Sequence, residues 1–202
     1  VTSLVAIADQ YAGHQMSMDK RHAEMVGRFL LRVREPGKFI EVGCCYGVST
    51  ARVLEAGVSR GVFSTLVDPH PQDSVLMMLS SVPADYAELV AGYSHEVIGS
   101  KVHVSDDTII LLDGDHRRQY MEIEAALILS TAKPAAFILH DVTNRSPDCD
   151  GPGWLMHYLQ SIGYSVAIDC MPRDGERTDR GLAILCRRPH DHDEARASCA
   201  SA

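Results

Sequence analysis

Two short runs bring together acids and histidines that could move a proton, Asp113-Gly114-Asp115-His116 and His140-Asp141. Each follows directly on a continuous apolar run, Ile109 to Leu112 in the first case and Ala135 to Leu139 in the second. If those runs are neighbouring strands, Asp113, Asp115, His140 and Asp141 converge at one edge of a sheet. His116 has an ordinary pKa of about 6.5, which suits it to take a proton from an attacking hydroxyl at neutral pH. A plainer role is equally open to it: capping the helix that begins near Arg118 and bonding a backbone carbonyl.

A third run, Glu41-Val42-Gly43-Cys44-Cys45-Tyr46-Gly47-Val48-Ser49-Thr50, brackets a tight turn between two glycines. Such a turn lets a ligand approach the backbone and meet the N-terminus of the helix that follows. The same glycine spacing also serves as a bare packing device. The next apolar run ends in Asp68, 25 residues beyond Gly43. An acid at that distance can accept hydrogen bonds from both ribose hydroxyls of an adenosine. Turn and acid together point to a nucleoside-containing cofactor.

The elements that must position these groups are readable from periodicity. Apolar runs over Phe39–Val42, Val62–Val67, Tyr86–Val90, Ile109–Leu112 and Ala135–Leu139 suit strands buried on both faces of a parallel sheet. Between them lie amphipathic stretches. Met18, His22, Met25, Phe29 and Val33 fall on one helix face that stops at Glu35-Pro36-Gly37. Val48–Ala56 reads as a helix ending at Gly57, and Asp73 or Ser74 could cap a helix through Leu79. Tyr120–Ala132 and Trp154–Ile162 complete the helices. Tyr164–Ile168 and Leu182–Cys186 are joined by a polar turn, Pro172 to Arg180, too short for a crossover helix, so they are expected to be antiparallel. Residues 188–202 are polar and small and read as a disordered tail. The fold class expected is α/β: a three-layer sandwich with helices on both faces of a mostly parallel sheet. Ligands bind such sheets at the carboxyl ends of the strands, where the three runs lie.

Composition excludes several alternatives. The 202 residues are 46% hydrophobic and 23% charged, as expected for one globular domain over residues 1–187 and not for a disordered chain. No apolar run approaches the roughly 18 residues of a membrane helix. A net charge of −8 argues against non-specific nucleic-acid binding. Val1–Ala8 lacks the basic flank and cleavage site of a signal peptide. The six cysteines form no CxxC pair, which suits a reducing cytoplasm.

The segments EVGCCYGVST, LVDPHP, IILLDGDHRRQY and FILHDV resemble the class I S-adenosylmethionine-dependent methyltransferases. More narrowly, they are similar to the small-molecule branch of macrocin-type sugar O-methyltransferases and cephalosporin-hydroxylase-type proteins. The likeness covers about residues 16–187, and the DGDH and HD pair is its most specific part. It implies a Rossmann-like sheet of seven strands, the last antiparallel, in agreement with the terminal hairpin read above. It assigns Glu41, Gly43 and Gly47 to the methionine end of S-adenosylmethionine, Asp68 to the ribose, and Cys45, Tyr46 and Ser49 to the cofactor site as well. Tyr93 and Ser94 would lie near adenine, Tyr93 standing where the family usually carries an acid and able to stack on the base. Asp113 would lie beside the transferable methyl. The likeness further implies a divalent cation, magnesium by the hardness of its ligands, on Asp113, His140 and Asp141. His140 stands where sugar methyltransferases carry a second acid, so it is either a ligand, a base or a group that orients Asp141.

The resemblance implies transfer of a methyl group to a hydroxyl of a small molecule, a sugar or natural-product scaffold, with Asp113, His116 and His140 catalytic. Residues 1–37, short for this family, would form a partial helical lid, leaving the pocket more open or completed by a second copy. The loop from Thr143 to Pro152 is the expected acceptor contact. Tyr120 is expected to pack the helix start, Met77, Met78 and Trp154 to serve core or lid, and His190-Asp191-His192-Asp193 to be solvated. Two other readings stand beside this one: a nicotinamide-dependent oxidoreductase, which leaves the Asp/His cluster unexplained, and a non-catalytic cofactor-binding protein.

Overall fold

The apolar runs become seven strands in a computed structural model that describes residues 3–144, 146, 148–170 and 180–199. They are β1 (Lys38–Val42), β2 (Phe63–Asp68), β3 (Ala87–Ala91), β4 (Thr108–Leu112), β5 (Ala136–His140), β6 (Ser165–Cys170) and β7 (Leu182–Cys186). Their order across the sheet is β3-β2-β1-β4-β5-β7-β6, with β7 antiparallel to both neighbours and the others parallel. The central strands β1, β4 and β5 are buried on both faces, which is why they read as unbroken apolar runs. The polar turn expected at 172–180 lies, apart from Arg180, outside the described residues.

The helices are α1 (Leu4–Ala8), α2 (Lys20–Arg32), α3 (Val48–Arg60), α4 (Asp73–Ser80), α5 (Ser94–Val97), α6 (Arg118–Thr131), α7 (Gly151–Ser161) and α8 (Pro189–Cys199). One apolar layer, with Met25, Phe29, Leu54 and Leu66, lies between the sheet and α2 and α3. The other, with Met121, Ile128, Leu155 and Leu159, lies beneath α6 and α7. The sandwich therefore has the expected three layers.

Two expectations are corrected. Helix α3 does not stop at Gly57 but runs on to Arg60, ended by Gly61 at φ 67°. Gly57 is there because a Cβ would come within 2.5 Å of Ser64 Oγ, so the missing side chain lets the helix lie close to β2. The 188–202 segment is no solvated tail over its described part, because 189–199 form α8. Asp191 is fully buried, pairs with Arg188 at 2.6 Å and accepts the Arg34 amide, while His192 Nε2 lies 3.0 Å from the Val166 carbonyl. Polar contacts tether this helix, so no apolar stripe announced it; Pro189 at its first position was the available signal. The His-Asp-His-Asp string is divided between these separate contacts. No helix among the described residues is long and apolar enough to cross a membrane.

Candidate active site

The carboxyl ends of β1 to β5 open into a cavity of about 820 Å³. Strand order alone fixes the sequence of groups along it: Tyr93 beyond β3, Asp68 on β2, Gly43 beyond β1, Asp113 beyond β4, then His140 at the end of β5 and Asp141 just beyond it. Four strand spacings separate the ends, roughly 19 Å, enough for a nucleoside joined to an amino-acid chain.

The glycine turn is built from left-handed residues, Gly43 (φ 86°), Cys45 (φ 47°) and Gly47 (φ 85°). At Gly43 a Cβ would lie 2.3 Å from the Asp113 carbonyl, so glycine alone lets β1 and β4 end this close together. The turn aims the Cys44 and Cys45 amides at one carboxylate oxygen, Asp68 Oδ2, at 2.8 and 3.1 Å. Asp68 Oδ1 accepts the His70 amide at 2.7 Å. A carboxylate offers about four lone-pair directions, and three are taken. Asp68 keeps acceptor capacity for a hydroxyl, and the anion-binding face of the turn holds the chain's own carboxylate.

Of the residues singled out for a cofactor, Gly43, Cys45, Asp68, Tyr93, Ser94 and Asp113 line the cavity, whereas Glu41, Tyr46, Gly47 and Ser49 do not. Glu41 is fully buried beneath the turn, where its carboxyl accepts Ser49 Oγ at 2.5 Å. Tyr46 stacks on Tyr11 at 5.3 Å and meets His14 at 4.2 Å, pinning the N-terminal segment. Gly47 lets Met78 approach. Ser94 lines the cavity, but its hydroxyl donates to buried Glu124, whose carboxyl burial pushes up to about 7.

Burial also pushes Glu41 up to about 8. The folded state then keeps this proton until about pH 8, while the unfolded chain releases it near the ordinary value of 4.5. Stability from this group therefore falls as pH rises between those values. Glu41→Gln should gain thermal stability relative to the parent as pH is raised from 5 to 8, measured by melting temperature. A gap that stays constant with pH would contradict an un-ionised Glu41.

Asp113, His116, His140 and Asp141 do converge. Asp113 Oδ1 lies 2.9 Å from His140 Nδ1 and 3.3 Å from His116 Nε2, and Asp141 Oδ2 lies 3.3 Å from His116 Nδ1. Asp141 achieves this at φ 58°, a strained conformation for a non-glycine residue. Burial would raise Asp113, but His140 and His116 outweigh it and hold the carboxyl well below its usual range. Burial would lower both imidazoles, but the Asp113 carboxylate outweighs it, with help from Asp141, and raises them. Burial raises Asp141.

Two members behave differently from expectation. Asp115 turns away to a forked pair with Arg117, at 2.9 and 2.5 Å, and leaves the cluster. His140 has both ring nitrogens engaged, Nδ1 with Asp113 and Nε2 with His22 Nδ1 at 3.1 Å. Ligand atoms of Asp113, His116 and Asp141 lie within 4.8 Å of one another, and His140 Nδ1 lies 2.9 Å from Asp113 Oδ1 and 3.1 Å from Asp141 Oδ1, so His116 joins the expected set.

Sequence reasoning passed over Arg180, a buried cation on the cavity wall whose guanidinium donates to the Gln15 and Ser17 carbonyls. That bond holds residues 15–18 over the cavity, while α2 itself packs along α3. Tyr120 lines the cavity, joined to Tyr93 through His95, with Arg117 4.5 Å over its ring. Asn144 and Cys149 of the 143–152 loop also reach the wall; Asp148 lies outside it. Trp154 stacks on Tyr158 away from the cavity, Met78 is buried and Met77 exposed.

No protein-family model matches this sequence, and no curated protein does. Solved structures do match in three dimensions. A protein from Corynebacterium glutamicum, 14% identical, superposes with a TM-score of 0.67 over 93% of this chain and 90% of its own. The SAH-bound Podospora anserina methyltransferase PaMTH1, 15% identical, gives 0.63 over 93% and 89%. SMU.1697c from Streptococcus mutans, a putative methyltransferase in complex with SAH and 11% identical, gives 0.58 over 84% and 99%. The chain has the class I methyltransferase fold. In that methyltransferase fold the antiparallel β7, inserted between β5 and β6, is the departure from a plain dinucleotide-binding sheet, and it is the feature the terminal hairpin announced. The narrower kinship with the macrocin-type branch rests on the sequence segments alone.

Proposed function

We propose that this protein transfers a methyl group from S-adenosylmethionine to a hydroxyl oxygen of a small molecule. The observation that carries the reading is a single cavity joining the glycine turn and Asp68 to a buried Asp/His cluster. Its nucleoside end fits the group: Gly43 lines the cavity floor, Asp68 keeps acceptor capacity, and Tyr93 is half exposed and offers a ring face to adenine. When bound, S-adenosylmethionine supplies an electrophilic methyl group.

The chain's own part is to place the acceptor and take its proton. A carboxylate stands against each ring nitrogen of His116. In the neutral ring one lone pair therefore faces an anionic oxygen, and taking up a proton relieves that repulsion. The acceptor's proton passes to the Asp141–His116 pair, while His140 orients Asp113. Arg180 and residues 15–18 shield the site and favour a close, aligned approach of the hydroxyl.

The cluster also suits a hard divalent cation. Asp141 Oδ1 is buried, with the edge of the His140 ring 3.1 Å away but no hydrogen bond made to it, and two carboxylates are what magnesium commonly takes from a protein. A magnesium ion on Asp113 and Asp141 would lower the pKa of the acceptor hydroxyl.

The test is transfer of labelled methyl from S-adenosylmethionine to a panel of sugars and phenolic or polyketide alcohols, with and without magnesium. Against whichever acceptor is found, His116→Gln should lower kcat by about 100-fold with KM for the methyl donor little changed. An unchanged kcat would remove His116 from the reaction. Methylation of nitrogen acceptors alone would remove the hydroxyl.

A further inference from the structure

Behind the cavity, on the far side of His140, lies a second set of ligand atoms that the proposed methyl transfer does not use. Asp19, at the N-cap of α2, and His22, in its first turn, stand three residues apart and face the same way. His22 Nδ1 lies 3.8 Å from Asp19 Oδ2 and 3.1 Å from His140 Nε2, and one ligand atom from each residue falls within 4.8 Å of the others. We propose that Asp19, His22 and His140 form a binding site for a divalent transition-metal cation of the zinc class.

Three features point the same way. The first is geometry. A tetrahedral ion with bonds of about 2.0–2.1 Å sets its ligands roughly 3.3 Å apart, and the distances here bracket that edge. The second is tautomer. Asp113 accepts only, so neutral His140 must carry its proton on Nδ1 toward Asp113, which turns the Nε2 lone pair toward His22. A histidine ligand braced through its other nitrogen by a carboxylate is the usual arrangement around zinc. The third is Asp19. It stands at the N-cap of α2, where an aspartate normally accepts a helix amide, yet its carboxylate makes no capping bond.

In the metal-free state the His22–His140 contact is a hydrogen bond whose proton sits on His22 Nδ1. Binding frees Nδ1 by a tautomer shift: the single imidazole proton of His22 moves to Nε2, with no net release of a proton. Two imidazoles and one carboxylate favour zinc over magnesium, so this site and the oxygen-rich one beyond Asp113 select different ions. Two ligands come from α2 and one from the end of β5, so a bound ion would staple the helix to the strand that carries the proposed catalytic cluster.

Cobalt(II) is the probe, because a tetrahedral nitrogen–oxygen site gives it intense visible absorption that a six-coordinate surface site does not. The intact chain, freed of metal, should take up one cobalt with that signature and yield it to zinc but not to excess magnesium. Asp19→Asn, at a half-exposed position that leaves the core untouched, should weaken binding by about 100-fold or more, beyond the 10–100-fold typical of an outer partner. His22→Asn should do the same, and His116→Asn should leave it unchanged. Absence of the tetrahedral signal, its survival in Asp19→Asn, or its dependence on His116 would each overturn the site.

Discussion

Asp113→Asn should reduce methyl transfer by about 100-fold or more and, because the histidines hold this carboxyl well below its usual range, should also lower the melting temperature. Asp113 is the joint of the cluster: one oxygen accepts from His140 and from His116, and the charge on that oxygen raises both imidazoles. The amide keeps the shape and the ability to accept at Oδ1, but it removes the charge. His116 then loses the group that makes it a proton sink, and any cation loses one of two anionic oxygens. Affinity for the cofactor product should change little, because Gly43, Asp68 and Tyr93 are untouched. Activity within threefold of the parent, in a variant shown to be folded, would place the chemistry elsewhere.

Gly43→Ala should be the most disruptive single change to the cofactor end. A Cβ at that position meets the Asp113 carbonyl at 2.3 Å, which is backbone and cannot rotate aside. The residue also sits at φ 86°, where alanine is strained by about 1–2 kcal/mol before any clash. The combined cost should reach about 3 kcal/mol or more, the range of mutations that both strain and overpack. At this chain length each kcal/mol lowers the melting temperature by about 2–4 °C. S-adenosylhomocysteine binding should be lost, because relief of the clash must part β1 from β4 at the cavity floor. Gly61→Ala is the matched control: it shares the left-handed conformation, at φ 67°, but nothing lies within 4 Å of its Cβ. It should show the strain alone and bind normally. Equal behaviour of the two variants would mean that the close approach at Gly43 is immaterial.

Strands β1, β2, β4 and β5 were legible because burial on both faces forces unbroken apolar runs, and the hairpin was legible because its connection was short and polar. What escaped was carried by polar contacts. Helix α8 is moored by Asp191, Arg188 and His192, which in sequence look like a solvated string. Asp68 stands where the sequence placed it, at the end of β2, yet the adjacent turn uses most of its acceptor capacity; only three-dimensional geometry shows which amides converge on it. His22 belonged to the stripe Met18, His22, Met25, Phe29 and correctly read as inward. Periodicity gives a direction, and it cannot tell that inward here means against His140. Arg180 followed the polar turn with no motif around it, and its partners lie more than 160 residues away in the chain.

The central claim is that the Gly43–Asp68–Tyr93 end of the cavity holds S-adenosylmethionine. The most direct measurement is a calorimetric titration with S-adenosylhomocysteine, with NAD as the comparison ligand. Saturable one-to-one binding of S-adenosylhomocysteine in the micromolar range, lost in Gly43→Ala and absent for NAD, is the predicted result. Binding of NAD with none of S-adenosylhomocysteine would contradict it and make the same sheet that of an oxidoreductase.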